Sequence, residues 1–195
     1  FDIAGYDKNG EEMNCFPFLS RQIMGLLEGT FTMMGGFSSC GKSSWWVTVI
    51  MALLHYDRKI LIISNEESVK KFKVKFLVWL LAKYSRYFKL TKKKLTSGDI
   101  DTESRKQLTI IQDYWKKNFK NRVKFIAIND ADMRVVKKKI RENVLRHGYD
   151  TVLYDTFKIQ ESDFEGSRQD LSLVRDSREL DKLAKKYNII MLASV

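Results

Sequence analysis

The glycine-rich stretch MMGGFSSCGKSS, residues 33–44, constrains the fold of this chain more than any other feature. From Gly36 to Ser43 it satisfies the pattern G-x4-G-K-[S/T], which is typical of a phosphate-binding P-loop. Glycines let the backbone curl around a phosphate, and the amides at the start of the next helix then bind it as an anion. The pattern therefore predicts a strand over 30–36, a loop, and a helix over 42–56.

The P-loop pattern also predicts what individual residues of the loop do. We predict that Lys42 contacts the β- and γ-phosphates of a nucleotide and assists catalysis, and that the hydroxyl of Ser43 ligates Mg²⁺. We interpret Cys40 as a filler position rather than a redox group. The alternative for the whole stretch is a glycine turn followed by a surface lysine. The predicted nucleotide-binding residues are Gly36, Ser38, Ser39, Cys40, Gly41, Lys42, Ser43 and Ser44.

Predicted strands and helices alternate along the rest of the chain. This alternation implies right-handed crossovers and an α/β fold, with a mainly parallel central sheet flanked by helices on both faces. Ligands of such sheets bind at the carboxyl ends of the strands. The predicted strands are 59–64, 122–128, 151–155 and 189–194, and the predicted helices are 68–88, 98–119, 132–147 and 170–188.

Acidic residues follow two of these strands. Asp155 ends the run TVLYD, where a carboxylate would help to hold Mg²⁺; the alternative is an aspartate that caps a turn. Glu66 and Glu67 follow the second strand, where one carboxylate would orient a water for attack on the γ-phosphate. The alternative is a pair of acids favoured by the dipole of the next helix. Asp150, at the other end of its strand, is predicted to be structural.

The composition of the chain limits the number of domains, the metal and disulfide sites, and the surfaces that could bind nucleic acid. The chain has 195 residues, 44% hydrophobic and 30% charged, which predicts one soluble globular domain. Two cysteines and two histidines form neither a disulfide framework nor a zinc site. The net charge is +11, and the segment 68–98 contains ten bases and no acid. With its interleaved aromatics this segment could bind a phosphate backbone, or it could be an amphipathic helix with solvated lysines.

Several segments together resemble the C-terminal, RecA-like ATPase domain of DnaB-type replicative helicases of bacteria and phages. They are GLLEGTFTMMGGFSSCGKSS, ILIISNEES, YDTVLYDTF and SRELDKLAKKYNIIMLAS, within residues 17–195. Residues 1–16 match nothing in the family and are predicted to be a separate N-terminal segment. The resemblance implies a RecA-like P-loop NTPase fold and assigns Glu66 to the position of the catalytic glutamate. Where the family often has a tyrosine after the Walker B aspartate, this chain has Thr156.

The resemblance also implies a function. It predicts Mg²⁺-dependent hydrolysis of ATP, or of another NTP or dNTP, by a hexameric ring that translocates on single-stranded DNA in the cytoplasm of a bacterial or phage-infected cell. Primase and a helicase loader are the implied partners. The family's sensor glutamine and arginine finger would lie beyond Val195, so we expect the chain to be part of a longer protein. A RecA-like recombinase, or a nucleotide-gated assembly ATPase that does not unwind DNA, remains an alternative.

The predicted loop over 156–169 falls where the family places a DNA-binding loop. Lys158 and Arg168 are therefore predicted to contact DNA phosphates. Four acids in and beside this loop favour the alternative of a solvated loop without such contacts.

Overall fold

The computed structural model of the protein describes residues 4–6, 12–14, 22, 25–37, 40–128, 132–156 and 169–195. A short antiparallel hairpin of β1 (Ala4–Tyr6) and β2 (Glu12–Asn14) comes first. The main sheet contains β3 (Phe31–Met34), β4 (Ile60–Ser64), β5 (Val123–Ala127), β6 (Thr151–Asp155) and β7 (Ile190–Ser194). Its order is β3-β7-β6-β4-β5 and every pairing is parallel, which confirms the predicted α/β class.

Six helices connect or flank these strands in the described part of the chain. They are α1 (Lys42–His55), α2 (Val69–Lys83), α3 (Lys92–Ser97), α4 (Thr102–Asn118), α5 (Met133–His147) and α6 (Gln169–Tyr187). Helices α1, α2 and α4 pack on one face of the sheet, and α5 and α6 pack on the other. This division follows from the right-handed crossovers, because the chain adds strands in one direction up to β5 and returns in the other direction afterwards.

Side chains of the central strands alternate between two hydrophobic cores. Ile60 and Ile62 belong to the core under α1 and α2, whereas Leu61 and Ile63 belong to the core under α5 and α6. All four are 0% exposed, and burying an aliphatic side chain of this size stabilises the fold by about 1.5–3 kcal/mol. A strand buried on both faces needs a continuous apolar run, which explains why β4 and β7 were recognisable in the sequence.

The helix predicted over 68–88 is shorter in the structure. Ser68 is its N-cap as predicted, with Oγ accepting from the amide of Lys71, but α2 ends at Lys83. Arg86 has a φ of 54°, a left-handed conformation that a continuing helix does not allow. The chain then forms α3, which the sequence analysis did not predict.

The helix predicted over 98–119 begins four residues later, as α4. Asp101 is its N-cap and accepts from the amide of Ser104 at 2.7 Å. Gly98 instead ends α3 in the left-handed conformation, with a φ of 79°. Both features are ordinary helix-end signals, and the error was to assign the glycine to the wrong helix.

At the amino ends of the strands, charged groups connect distant segments. Asp150 accepts from the amide of Lys59 at 3.1 Å and lies 3.3 Å from Nε of Arg58, which also pairs with Glu28. Burial raises the pKa of Asp150, and the nearby charge of Arg58 opposes that rise. These contacts place Asp150 at the edge away from the P-loop, as a structural role requires.

At the opposite edge, the strand register keeps the carboxyl ends level. Ser64 of β4 lies opposite Asp155 of β6 and opposite Ala127 of β5. The residues that follow β4 and β6 therefore leave the sheet side by side. Within the described residues, no helix is long and apolar enough to cross a membrane.

Candidate nucleotide-binding site

The P-loop joins the end of β3 to the start of α1, as its sequence pattern predicted. At Gly36, an added Cβ would lie 2.9 Å from Sγ of Cys40 and 3.6 Å from Cδ of Lys42. Because real Cβ atoms do not come within 3.0 Å of other atoms, a larger residue would require the exposed thiol of Cys40 to move. Cys40 is exposed and has a free thiol. The predicted ligands Ser38 and Ser39 lie outside the described residues.

The first turn of α1 is open to an anion. Its N-cap is Gly41, with a φ of 95° and no side chain to cap the helix. The amides of Ser44 and Trp45 bond to the carbonyl of Gly41, whereas those of Gly41, Lys42 and Ser43 have no acceptor among the described residues. Free amides at a positive helix end bind phosphate oxygens. Helices α2 to α5 have side-chain caps instead, from Ser68, Thr91, Asp101 and Asp132.

The ammonium group of Lys42 lies over the loop. Its Nζ donates to the carbonyl of Phe37 at 3.0 Å and also to the carbonyl of Gly36. Both acceptors are neutral backbone oxygens, and charged phosphate oxygens form stronger bonds with an ammonium group. Lys42 is therefore placed to exchange these contacts for a bound phosphate.

A cavity of about 630 Å³ opens between the P-loop and the ends of β4 and β6. This volume lies in the range of small-molecule sites, about 300–1,000 Å³. The cavity brings together most of the described residues that the sequence analysis assigned to the site, and several that it did not. Its lining consists of Gly36, Gly41, Lys42, Ser43, Ser44, Glu66, Glu67, Lys75, Lys92, Thr156 and Val195.

The two glutamates after β4 have different surroundings. Ser64 Oγ accepts from the amides of both, at 3.4 Å for Glu66 and 3.0 Å for Glu67. The carboxylate of Glu67 pairs with Nζ of Lys75 at 2.7 Å, and the side chains of Glu67 and Lys75 are only 20% and 11% exposed. The carboxylate of Glu66 is exposed and accepts from the hydroxyl of Thr156 at 2.6 Å. Glu67 is thus held in an ion pair, while Glu66 faces the end of β6.

Asp155 is 1% exposed at the end of β6. Its Oδ1 accepts from the hydroxyl of Ser194, at the end of the neighbouring strand β7. Its Oδ2 is buried and has no hydrogen-bond partner among the described residues. A buried carboxylate oxygen without a hydrogen-bond donor lowers the stability of the fold. A metal-bound water is the kind of donor that would bond to it.

These residues fit a magnesium ion held mainly by oxygen atoms. The described residues contain no group of three or more His, Cys, Asp or Glu side chains arranged for a metal. A P-loop site does not need such a group, since Mg²⁺ keeps several waters and takes further oxygens from the nucleotide. Ser43 and Asp155 remain the predicted protein ligands.

The basic segment 68–98 divides between the core, the surface and the cavity. Phe72, Phe76 and Trp79 are buried, and most of the lysines are exposed, as the amphipathic-helix interpretation predicted. Lys75 and Lys92, however, lie in the cavity lining. Sequence spacing could not reveal them, because the packing of α2 against α1, and of α3 against α2, brings them there. Lys158 and Arg168, predicted to contact DNA, lie outside the described residues.

Comparisons with known proteins agree with this architecture. The model of the family described as "DnaB-like helicase C terminal domain" matches residues 14–195. A solved structure of a DnaB-like replicative helicase and its interactions with primase is similar to the chain, with a TM-score of 0.75 and 15% identity. That match covers 100% of this chain and 43% of the other.

A second solved structure, of the ATPase domain of another protein, has a TM-score of 0.74 and 16% identity. It covers 92% of this chain and 61% of the other. The chain thus spans roughly half the length of these two chains, and at such identities the likeness concerns the fold. No curated protein matches the chain in sequence.

Proposed function

This chain belongs to the DnaB-like helicase C-terminal domain family, and we propose that it is the NTP-hydrolysing motor domain of a replicative DNA helicase. The observation that carries the proposal is the convergence of Lys42, Ser43 and Glu66 on one cavity, with the buried Asp155 beside it. These residues come from three segments distant in the sequence. Their roles match the parts that phosphoryl transfer requires: a phosphate cradle, metal ligands and a group that orients water.

In the proposed reaction, the P-loop amides and Lys42 bind the phosphates of ATP or of another NTP or dNTP. Ser43 and Asp155 hold Mg²⁺, which when bound neutralises charge on the phosphate oxygens. Glu66 accepts a proton from a water whose oxygen bonds to the γ-phosphorus. The bond from that phosphorus to the bridging oxygen breaks, and the nucleoside diphosphate and inorganic phosphate leave.

We propose that the energy of hydrolysis moves the protein along single-stranded DNA and separates a duplex. Family membership supports this, as does the placement of the site at the carboxyl ends of β4 and β6. A hexameric ring, a primase and a loader are the partners we propose for the full-length protein. One of the similar structures concerns a DnaB-like helicase and its interactions with primase.

The test uses the full-length protein that contains this domain. We expect NTP hydrolysis that single-stranded DNA stimulates and unwinding of a forked duplex. Lys42→Ala should weaken nucleotide binding and abolish both, because a charge-assisted phosphate contact is lost. A rate of hydrolysis that is the same with and without DNA, together with no unwinding, would contradict the proposed motor function and favour a nucleotide-gated assembly ATPase. Strand exchange by a filament would favour a recombinase.

A further inference from the structure

Thr156 lies between the two carboxylates that the proposed reaction uses. It follows β6 directly, and the register of Ser64 with Asp155 brings it beside the residues that follow β4. Its hydroxyl donates to Oε2 of Glu66 at 2.6 Å and lies 3.4 Å from Oδ1 of Asp155. One hydroxyl therefore contacts both the predicted base and the predicted metal ligand.

The backbone of Thr156 is also fixed. Its amide donates to Oδ1 of Asn65 at 3.0 Å, and the amide of Asn65 donates to the carbonyl of Asp155 at 3.1 Å. The side-chain amide of Asn65 further donates to Oη of Tyr154 at 3.4 Å. These bonds join the ends of β4 and β6, so the hydroxyl of Thr156 has a defined position relative to both strands.

We propose that Thr156 is a positioning residue that holds the carboxylate of Glu66 in its reactive orientation beside Asp155. A hydrogen bond from a fixed hydroxyl reduces the number of rotamers that an exposed glutamate samples, and each unproductive rotamer removes the base from the attacking water. Threonine suits this role because its β-branched side chain has few χ1 rotamers. The inference rests on the proposed function, since it assigns Thr156 a role in the same hydrolysis.

The test compares Thr156→Val and Thr156→Ser in the full-length protein. Valine keeps the shape and removes the hydroxyl, and we expect kcat to fall about 10- to 100-fold with nucleotide affinity unchanged, as for the loss of one hydrogen bond to a charged group. Serine keeps the hydroxyl and should restore most of kcat. Removing a donor to the charged carboxylate should also move the acid limb of the kcat profile to higher pH in the valine variant.

A matched control lies at the opposite end of β6. Thr151 is at the amino end of β6, where its hydroxyl bonds to Oδ1 of Asp150 at 3.1 Å, far from the cavity. Thr151→Val makes the same chemical change and should leave kcat and its pH profile unaltered. An equal loss of kcat in both variants would show a general effect on β6 and overturn the assignment.

A double-mutant cycle separates this inference from the proposed function. If Thr156 acts only through Glu66, Thr156→Val should cause no further loss in a Glu66→Gln background. Full additivity, or a raised KM with unchanged kcat, would mean that Thr156 acts on the nucleotide itself, and the positioning role would be wrong. If Glu66→Gln leaves hydrolysis unchanged, the proposed function of Glu66 fails instead.

Discussion

At the scale of single residues, the structure separates two adjacent glutamates that their position after β4 left equivalent and that only the family resemblance distinguished. Sequence position placed both Glu66 and Glu67 just beyond β4. The ion pair of Glu67 with Lys75 and the contact of Glu66 with Thr156 distinguish them. Such contacts join residues from different elements, so no local pattern contains them.

We predict that Glu66→Gln cuts turnover about 10²- to 10⁴-fold while nucleotide binding survives, the range for a positioned general base. Glu67→Gln should keep catalysis and lower stability instead, because Lys75 is left largely buried without its partner. The measurements are steady-state hydrolysis, nucleotide affinity and thermal melting of both variants. If Glu67→Gln is the inactive variant, the base has been assigned to the wrong residue.

The sequence predicted much of the P-loop site and less of its surroundings. Gly36 and Lys42 lie in one short motif whose spacing is fixed by the phosphate it binds. Asn65, Lys92 and Ser194 have no such signal, because their place in or beside the site depends on how strands and helices pack. The signal that could have indicated Thr156 was its departure from the family's usual residue.

At the scale of helices and strands, the strands of the main sheet were predicted well and the short elements outside it were not. The strand at 151–155 has the predicted bounds, since a buried central strand has a sharply bounded apolar run. Helix α3, Lys92–Ser97, was missed because six residues carry too little periodicity to recognise. The β1–β2 hairpin was missed for the same reason, as each strand has three residues.

The contact between the end of α1 and the end of α4 predicts a pH dependence of stability. Burial lowers the pKa of His55 from its usual 6.5, with a further contribution from Arg122, and the ring of His55 packs edge-on against Phe119. Below about pH 6.5 the unfolded chain binds a proton that the folded chain resists. The free energy of unfolding should therefore be fully retained above that pH and fall as the pH is lowered through it.

His55→Gln cannot titrate and should reduce this loss, seen as a smaller change in Tm between about pH 7.5 and about pH 5.5. His147 is exposed at the end of α5 and provides the matched control. His147→Gln should keep the pH dependence of the unchanged chain. If both substitutions reduce the pH dependence of Tm equally, the contact of His55 with α4 is not the source of that dependence.

At the scale of the whole molecule, the location of the positive charge bears on how DNA is bound. The basic segment 68–98 follows Glu66, and its Lys92 reaches the nucleotide cavity. Neutralising Lys92 would therefore disturb the nucleotide as well as any DNA. Lys93 and Lys94 are exposed and are not in the cavity lining, so they isolate the effect of surface charge.

We predict that Lys158→Ala combined with Arg168→Ala abolishes DNA stimulation of hydrolysis while nucleotide binding survives. Lys93→Ala combined with Lys94→Ala should only lower DNA affinity and reduce its log–log salt slope by about 1.4, because each phosphate contact on a single strand contributes about 0.7. The measurement is DNA-stimulated turnover of full-length variants at two salt concentrations. Lost stimulation in the Lys93/Lys94 variant alone would identify the charged segment as the functional DNA contact.

The pairing of β3 with β7 has a consequence for how the protein is made. Phe31 lies opposite Met191, and β7 is the only partner of β3 among the described strands. During translation β3 leaves the ribosome early, and it cannot pair with β7 until residues 190–194 have been synthesised. Pairing over such a separation is slow, and a nucleotide stabilises only a chain that has completed it. A nascent chain released before that point carries the P-loop motif without the sheet that supports it.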